Sequence, residues 1–79
     1  MLKFINETMS LFTMFGMKLD KYSSEESIVY VSMPESNSVK RISDEKLVLS
    51  FKRILQKSFP GVRVKYRIRK GDTWSTPLG

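Results

Sequence analysis

Val62-Arg63-Val64-Lys65-Tyr66-Arg67-Ile68-Arg69-Lys70 alternates apolar and cationic side chains from Val62 to Arg69. A period of two puts Val62, Val64, Tyr66 and Ile68 on one face of a strand and Arg63, Lys65, Arg67 and Arg69 on the other. One face therefore needs a core to cover it, and the other carries charge. The rest of the fold is read outward from this strand.

Immediately upstream, Pro60-Gly61 stops a helix. Ser43 supplies its N-cap, and Asp44 and Glu45 favour the positive end of the helix. Between these limits Leu47, Val48, Phe51, Ile54 and Leu55 recur at helical spacing and form the apolar face. Further upstream, Ser27 to Met33 is rich in β-branched residues and reads as a second strand, which Pro34 ends. Glu35-Ser36-Asn37 reads as a turn, and Ser38 to Ile42 as a short returning strand or a loop. The polar stretch Asp20 to Ser27 reads as a linker to the N-terminal segment.

That segment, residues 1–19, reads as an amphipathic helix. Lys3, Asn6, Glu7, Ser10, Thr13 and Lys18 follow helical spacing, and the remaining circumference is soft and apolar, with Gly16 ending or fraying the run. Downstream, Gly71-Asp72 turns the chain into a tail, residues 71–79, that carries Trp74. The expected architecture is one small α+β domain over residues 1–79. It consists of an N-terminal helix followed by a split β-α-β unit over residues 27–70 with a two- or three-stranded sheet.

Composition excludes several functions. The 79 residues contain no Cys and no His. There is thus no disulfide framework, no thiolate zinc site and no cysteine nucleophile, and the commonest general base and transition-metal ligand are missing. The four glycines are isolated, so no phosphate-cradling loop is present. Glu25 and Glu26 point to opposite sides of an extended chain and make a poor acid/base pair. No catalytic constellation, cofactor or metal is expected. The absence of Cys fits a cytoplasmic protein.

The charge carries the positive signal. The chain has 14 Lys plus Arg against 8 Asp plus Glu, a net charge of +6. Residues 1–39 hold three cations and five acids, whereas residues 40–79 hold eleven cations and three acids. Such segregation points to a polyanionic partner. Same-face residues on a strand are about 6.6 Å apart, so Arg63, Lys65, Arg67 and Arg69 can follow successive phosphates of DNA or RNA. Lys46, Arg53 and Lys57 share one flank of the second helix, with Lys40 and Arg41 just before it. Convergence of that flank with the strand would make one continuous basic surface. The competing explanation is edge protection, because Lys and Arg on an exposed edge strand block edge-to-edge aggregation. The cationic face has no aromatic of its own in this reading. Tyr22 and Trp74 lie outside regular elements and could supply one, although the expected role of Trp74 is to cap a thin core, where burying its large ring is valuable in a small domain.

A second functional class is a protein-interaction or inhibitor domain of viral or phage accessory type. It would meet an acidic protein through the basic face, or a groove or second copy through Phe4, Met9, Phe12 and Phe15 of the first helix. Packing into the core is the plainer role for those residues. The first helix lacks the Lys/Arg-rich polar face of a membrane-surface helix and the uninterrupted apolar run of a spanning helix or a signal peptide.

The helix–Pro60-Gly61–strand–Lys70-Gly71-Asp72 portion resembles the MinE family of cell-division topological factors. An apolar N-terminal helix, a strand, a loop, a helix and a strand follow in the same order. The last strand of that family has no counterpart here, its place being taken by Thr73 to Gly79. The resemblance is one of layout and implies no residue role.

Overall fold

A computed structural model describes residues 2–33 and 43–79 of the chain. The expected turn and short strand at 35–42, with Lys40 and Arg41, lie outside the described residues. The elements run α1 (Leu2–Thr13), β1 (Lys18–Ser23), β2 (Ile28–Ser32), α2 (Asp44–Ser58), β3 (Lys65–Lys70) and β4 (Thr73–Trp74). The fold is α+β. The sheet has four strands in the order β1-β2-β3-β4, rather than two or three. β1 and β2 are antiparallel, β2 and β3 parallel, and β3 and β4 antiparallel. The two strands flanking α2 are direct neighbours, so no strand separates the halves of the β-α-β unit.

Both helices end as their sequences dictate. In α1 the Gly16 N–H donates to the Thr13 carbonyl and the Met17 N–H to the Phe12 carbonyl, with Gly16 at φ 78°. This is a Schellman ending, which requires the left-handed conformation that glycine adopts without strain. It also turns Met17 into the core. In α2 the Ser43 side chain accepts from the Lys46 N–H at 3.3 Å, and the Phe59 N–H closes the C-terminus on the Leu55 carbonyl.

Two expectations are corrected here. The expected linker, Asp20 to Ser27, holds most of β1 and a four-residue turn at 24–27, which closes on Ser27 at φ 55°. The first two residues of β1, Lys18 and Leu19, fall in the stretch expected as helix, and that helix ends at Thr13. Leu19 and Tyr22 are three residues apart, a spacing that breaks strand alternation. The pairing register shifts between Leu19 and Lys21, and this bulge returns both residues to the core face, opposite Val31 and Val29. The second correction concerns residues 71–79. Trp74 pairs with Arg69 in β4, and Leu78 exchanges both backbone hydrogen bonds with Tyr66. The tail thus lies along the side of β3 away from β2.

Both helices cover one face of the sheet. Phe12 is fully buried between Phe51 of α2, with ring centroids 5.1 Å apart, and Tyr66 of β3, stacked at 5.8 Å. Phe4 meets Phe59 edge-on at 5.6 Å, and Phe15 covers Phe51 from outside. Thr8 lies inside this layer, and its hydroxyl donates to the Phe4 carbonyl at 2.7 Å. Ile54 departs from the expected apolar face of α2 and is 54% exposed. Among the described residues no helix is long and apolar enough to cross a membrane.

Tyr66 is a core residue whose hydroxyl is buried without a hydrogen-bond partner among the described residues. Burial pushes its pKa up to about 12, against 10.0 for an ordinary tyrosine. The unfolded chain loses this proton first, so above pH 10 the unfolded state binds fewer protons and stability falls until the folded pKa is reached. Two pKa units correspond to about 2–3 kcal/mol. Tyr66→Phe is expected to be neutral or mildly stabilising at pH 7, since it removes an unsatisfied group while keeping the shape. It should also flatten the loss of stability between about pH 10 and pH 12, as read by urea denaturation against the parent chain. Phe12→Ala is expected to cost about 3–5 kcal/mol in the same assay, a large part of a small domain's stability.

Candidate nucleic-acid interface

The helix-free face of the sheet is assembled by register. Ile28 lies beside Lys65, Tyr30 beside Arg67, and Ser32 beside Arg69. On the other side of β2, Ser23, Lys21 and Lys18 stand opposite Ile28, Tyr30 and Ser32. Trp74 extends the last row beyond Arg69. Lys18, Lys21, Lys65, Arg67 and Arg69 therefore surround a strip formed by Ile28, Tyr30 and Ser32. β3 is not an edge strand: β2 pairs along one side, and Trp74 to Leu78 bond to the other. Protection of a bare edge does not account for its cations.

An aromatic pair sits within the charge. Tyr30 and Trp74 meet edge-to-face, with ring centroids 5.1 Å apart at 89°. The Lys21 ammonium stands 4.6 Å above the Tyr30 ring, and the Arg69 guanidinium 5.1 Å from the Trp74 ring centre. These are cation–π contacts. The Tyr30 hydroxyl donates to a Glu26 carboxylate oxygen at 3.0 Å. That hydrogen bond raises the Tyr30 pKa, aided by burial and the Glu26 charge and opposed by Arg67.

The cations are not equivalent. Arg69 reaches Asp20 at 3.5 Å and donates to the Ser32 hydroxyl at 3.2 Å, while that hydroxyl donates to Asp20 at 2.6 Å. Asp20 is the extra residue of the β1 bulge, so the same insertion that restores the core register supplies the counter-charge. Arg63, Lys65 and Arg67 have no carboxylate partner among the described residues. Arg67 is half-buried, and its Nε is enclosed with no hydrogen-bond partner among them. Arg63 precedes β3, which begins where β2 offers a partner, at Lys65 opposite Ile28.

The expected basic surface is thus divided. Lys46, Arg53 and Lys57 are exposed, but α2 packs on the opposite face of the sheet from Arg67 and Arg69. The helix cation that meets the strand is Lys52, which shares a cleft with Arg63 and Lys65. Tyr22 faces the helices, so it is not on the cationic face. Trp74 lies on the open face instead of capping the core. Tyr30, which the strand pattern alone does not single out, joins Trp74 as an aromatic of that face. Its alternation with Val29 and Val31 was the available signal. Phe4 and Phe12 of α1 belong to the core, whereas Met9 of α1 and Phe15, just past its end, are exposed.

Compared with protein-family models, curated proteins and solved structures, the chain matches none of them. The layout shared with cell-division topological factors therefore supports no family assignment.

The Arg69–Asp20 pair is partly exposed and worth about 0–1 kcal/mol. Arg69→Ala is expected to leave the fold intact and to uncover the single Trp. The slope of acrylamide quenching of Trp74 fluorescence should rise, with an unchanged far-ultraviolet dichroism spectrum.

Proposed function

We propose that this chain is a non-catalytic module that binds single-stranded nucleic acid on the open face of its sheet. Lys65, Arg67 and Lys21 engage phosphates, Arg63 extends the track at one end, and Trp74 with Tyr30 offers bases a stacking surface. One observation carries this reading: an aromatic pair embedded among cations on a sheet face that neither helix covers. Basic tracks interleaved with aromatic rings suit single strands, because every base has a face to stack and every residue of the strand carries a phosphate. Hydrogen-bond readout of particular bases is not part of the proposal. RNA and DNA are both accommodated by phosphate and stacking contacts.

Binding of a labelled single strand of about 20 nucleotides tests the proposal by fluorescence anisotropy across a salt series. The logarithm of affinity is expected to fall linearly with the logarithm of salt, and Arg67→Gln to reduce that slope by roughly 0.7–1. Trp74→Ala is expected to weaken binding by about 1–3 kcal/mol, roughly 5- to 150-fold. No binding at low salt overturns the proposal and leaves an acidic protein as the partner the charge would serve. Binding that neither substitution weakens overturns the assigned surface.

A further inference from the structure

At the end of the sheet where β3 begins, Lys52, Gln56, Arg63, Lys65, Ser27 and Glu26 line a cleft of about 480 Å³. We infer that this cleft is a site for a terminal phosphate monoester, the phosphorylated end of a nucleotide chain. Its assignment as a strand end rests on the sheet-face reading, whereas the phosphate site itself stands on the cleft's own residues.

Charge and size agree with that ligand. Three cations outnumber the one side-chain carboxylate, Glu26, in a wall that Gly79 completes, and they favour a phosphate monoester, which carries close to two negative charges at neutral pH. A phosphodiester within a chain carries only one. The volume falls in the range of about 300–1,000 Å³ that holds small organic ligands, enough for a nucleotide and more than an isolated ion needs.

The donors come from three separate elements. Lys52 and Gln56 are one turn apart on α2, Lys65 opens β3, and Ser27 closes the β1–β2 turn. The Lys65 N–H donates to the Ser27 carbonyl at 2.9 Å, which fixes the turn against the first residue of the strand. Lys52 donates to the Gly79 carbonyl at 2.8 Å, and an ammonium has two further hydrogens to offer. Arg63 adds a planar fork suited to two phosphate oxygens. The Gln56 amide and Ser27 hydroxyl supply neutral donors. Glu26 is drawn aside by the Tyr30 hydroxyl, which it accepts at 3.0 Å.

The cleft also adjoins the track on the open face. Lys65 belongs to both, and same-face residues of a strand repeat at about 6.6 Å, close to the spacing of phosphates along an extended strand. A chain lying over Arg67 and Lys65 would bring its end into the cleft between Lys52 and Arg63.

The test separates the two levels. Nitrogen-15 spectra of the full chain are recorded with a nucleoside 5′-monophosphate and with the matching nucleoside. Saturable shifts at Gln56, Val64 and Lys65 are expected with the monophosphate alone at up to about 10 mM, and Lys52→Met should abolish them while keeping the aliphatic stem. Glu26→Gln should tighten the same titration, since it removes the opposing charge. Absence of saturable shifts, or equal shifts with the nucleoside, overturns the phosphate site. Oligonucleotides bearing a 5′-phosphate, a 3′-phosphate or no terminal phosphate then test the strand-end role. One phosphorylated form is expected to bind several-fold more tightly, and Lys52→Met to erase that preference while changing the unphosphorylated affinity by less than about threefold. Equal affinity of all three overturns the strand-end role. Failure of the unphosphorylated strand to bind at all overturns the sheet-face reading, independently of the monophosphate result.

Discussion

The direct parallel pairing of β2 with β3 is the constraint on which the other features depend. Parallel neighbours cannot be joined by a tight turn, so the connection must cross over the sheet, and α2 is carried onto one face. Val64, Tyr66 and Ile68 must face that helix, because burying them supplies much of the core. Strict alternation then leaves Lys65, Arg67 and Arg69 no place except the opposite face. Phe12 fastens the arrangement from the far end of the chain, held between α2 and β3 by Phe51 and Tyr66. The charged surface and the core are thus two outcomes of one pairing.

Both helices and the two parallel strands were legible because each carries a complete local signal. Ser43, Gly16 and Pro60-Gly61 are terminators with a mechanism, and the period-two pattern from Val62 to Arg69 has no competing reading. β1 was hidden by its own bulge. Leu19 and Tyr22 suggest no strand when counted along the chain, and they become one face only when β2 is laid beside them. β4 was hidden for another reason. Two residues carry no periodicity, and their pairing is set by the turn at Gly71, which adopts φ 77°.

The site divides along similar lines. That Lys65, Arg67 and Arg69 share a face follows from alternation alone, but what lies beside them follows from register. Tyr30 read as one apolar residue in an apolar strand, and only its pairing opposite Arg67 and Lys21 puts it among the charges. Asp20 could not be matched to Arg69 for the same reason, since one strand, β2, and a bulge intervene. The flank of Lys46, Arg53 and Lys57 was a correct helical stripe on the wrong side of the molecule. Helical periodicity says which residues share a stripe, and packing says where the stripe points.

The open face also has a structural role, and that bears on how its cations are to be probed. Ile28 and Tyr30 are buried although they face away from the helices and do not belong to the core cluster. Their neighbours on that side are Lys21, Lys65, Arg67 and Trp74. Long cationic side chains shield apolar surface with their aliphatic stems while their heads stay in water. Truncating one to alanine therefore removes cover as well as charge, and a loss of binding would not distinguish the two. Replacing Arg or Lys with Gln or Met retains most of the stem, so a change can be attributed to charge. On the proposed reading, a base stacking on the side of Tyr30 or Trp74 that Lys21 or Arg69 covers would have to displace that cation. The displaced cation would then be free to meet a phosphate in the same motion. Such an exchange would need side-chain rotation alone, since both cations and both rings already share one face of the sheet.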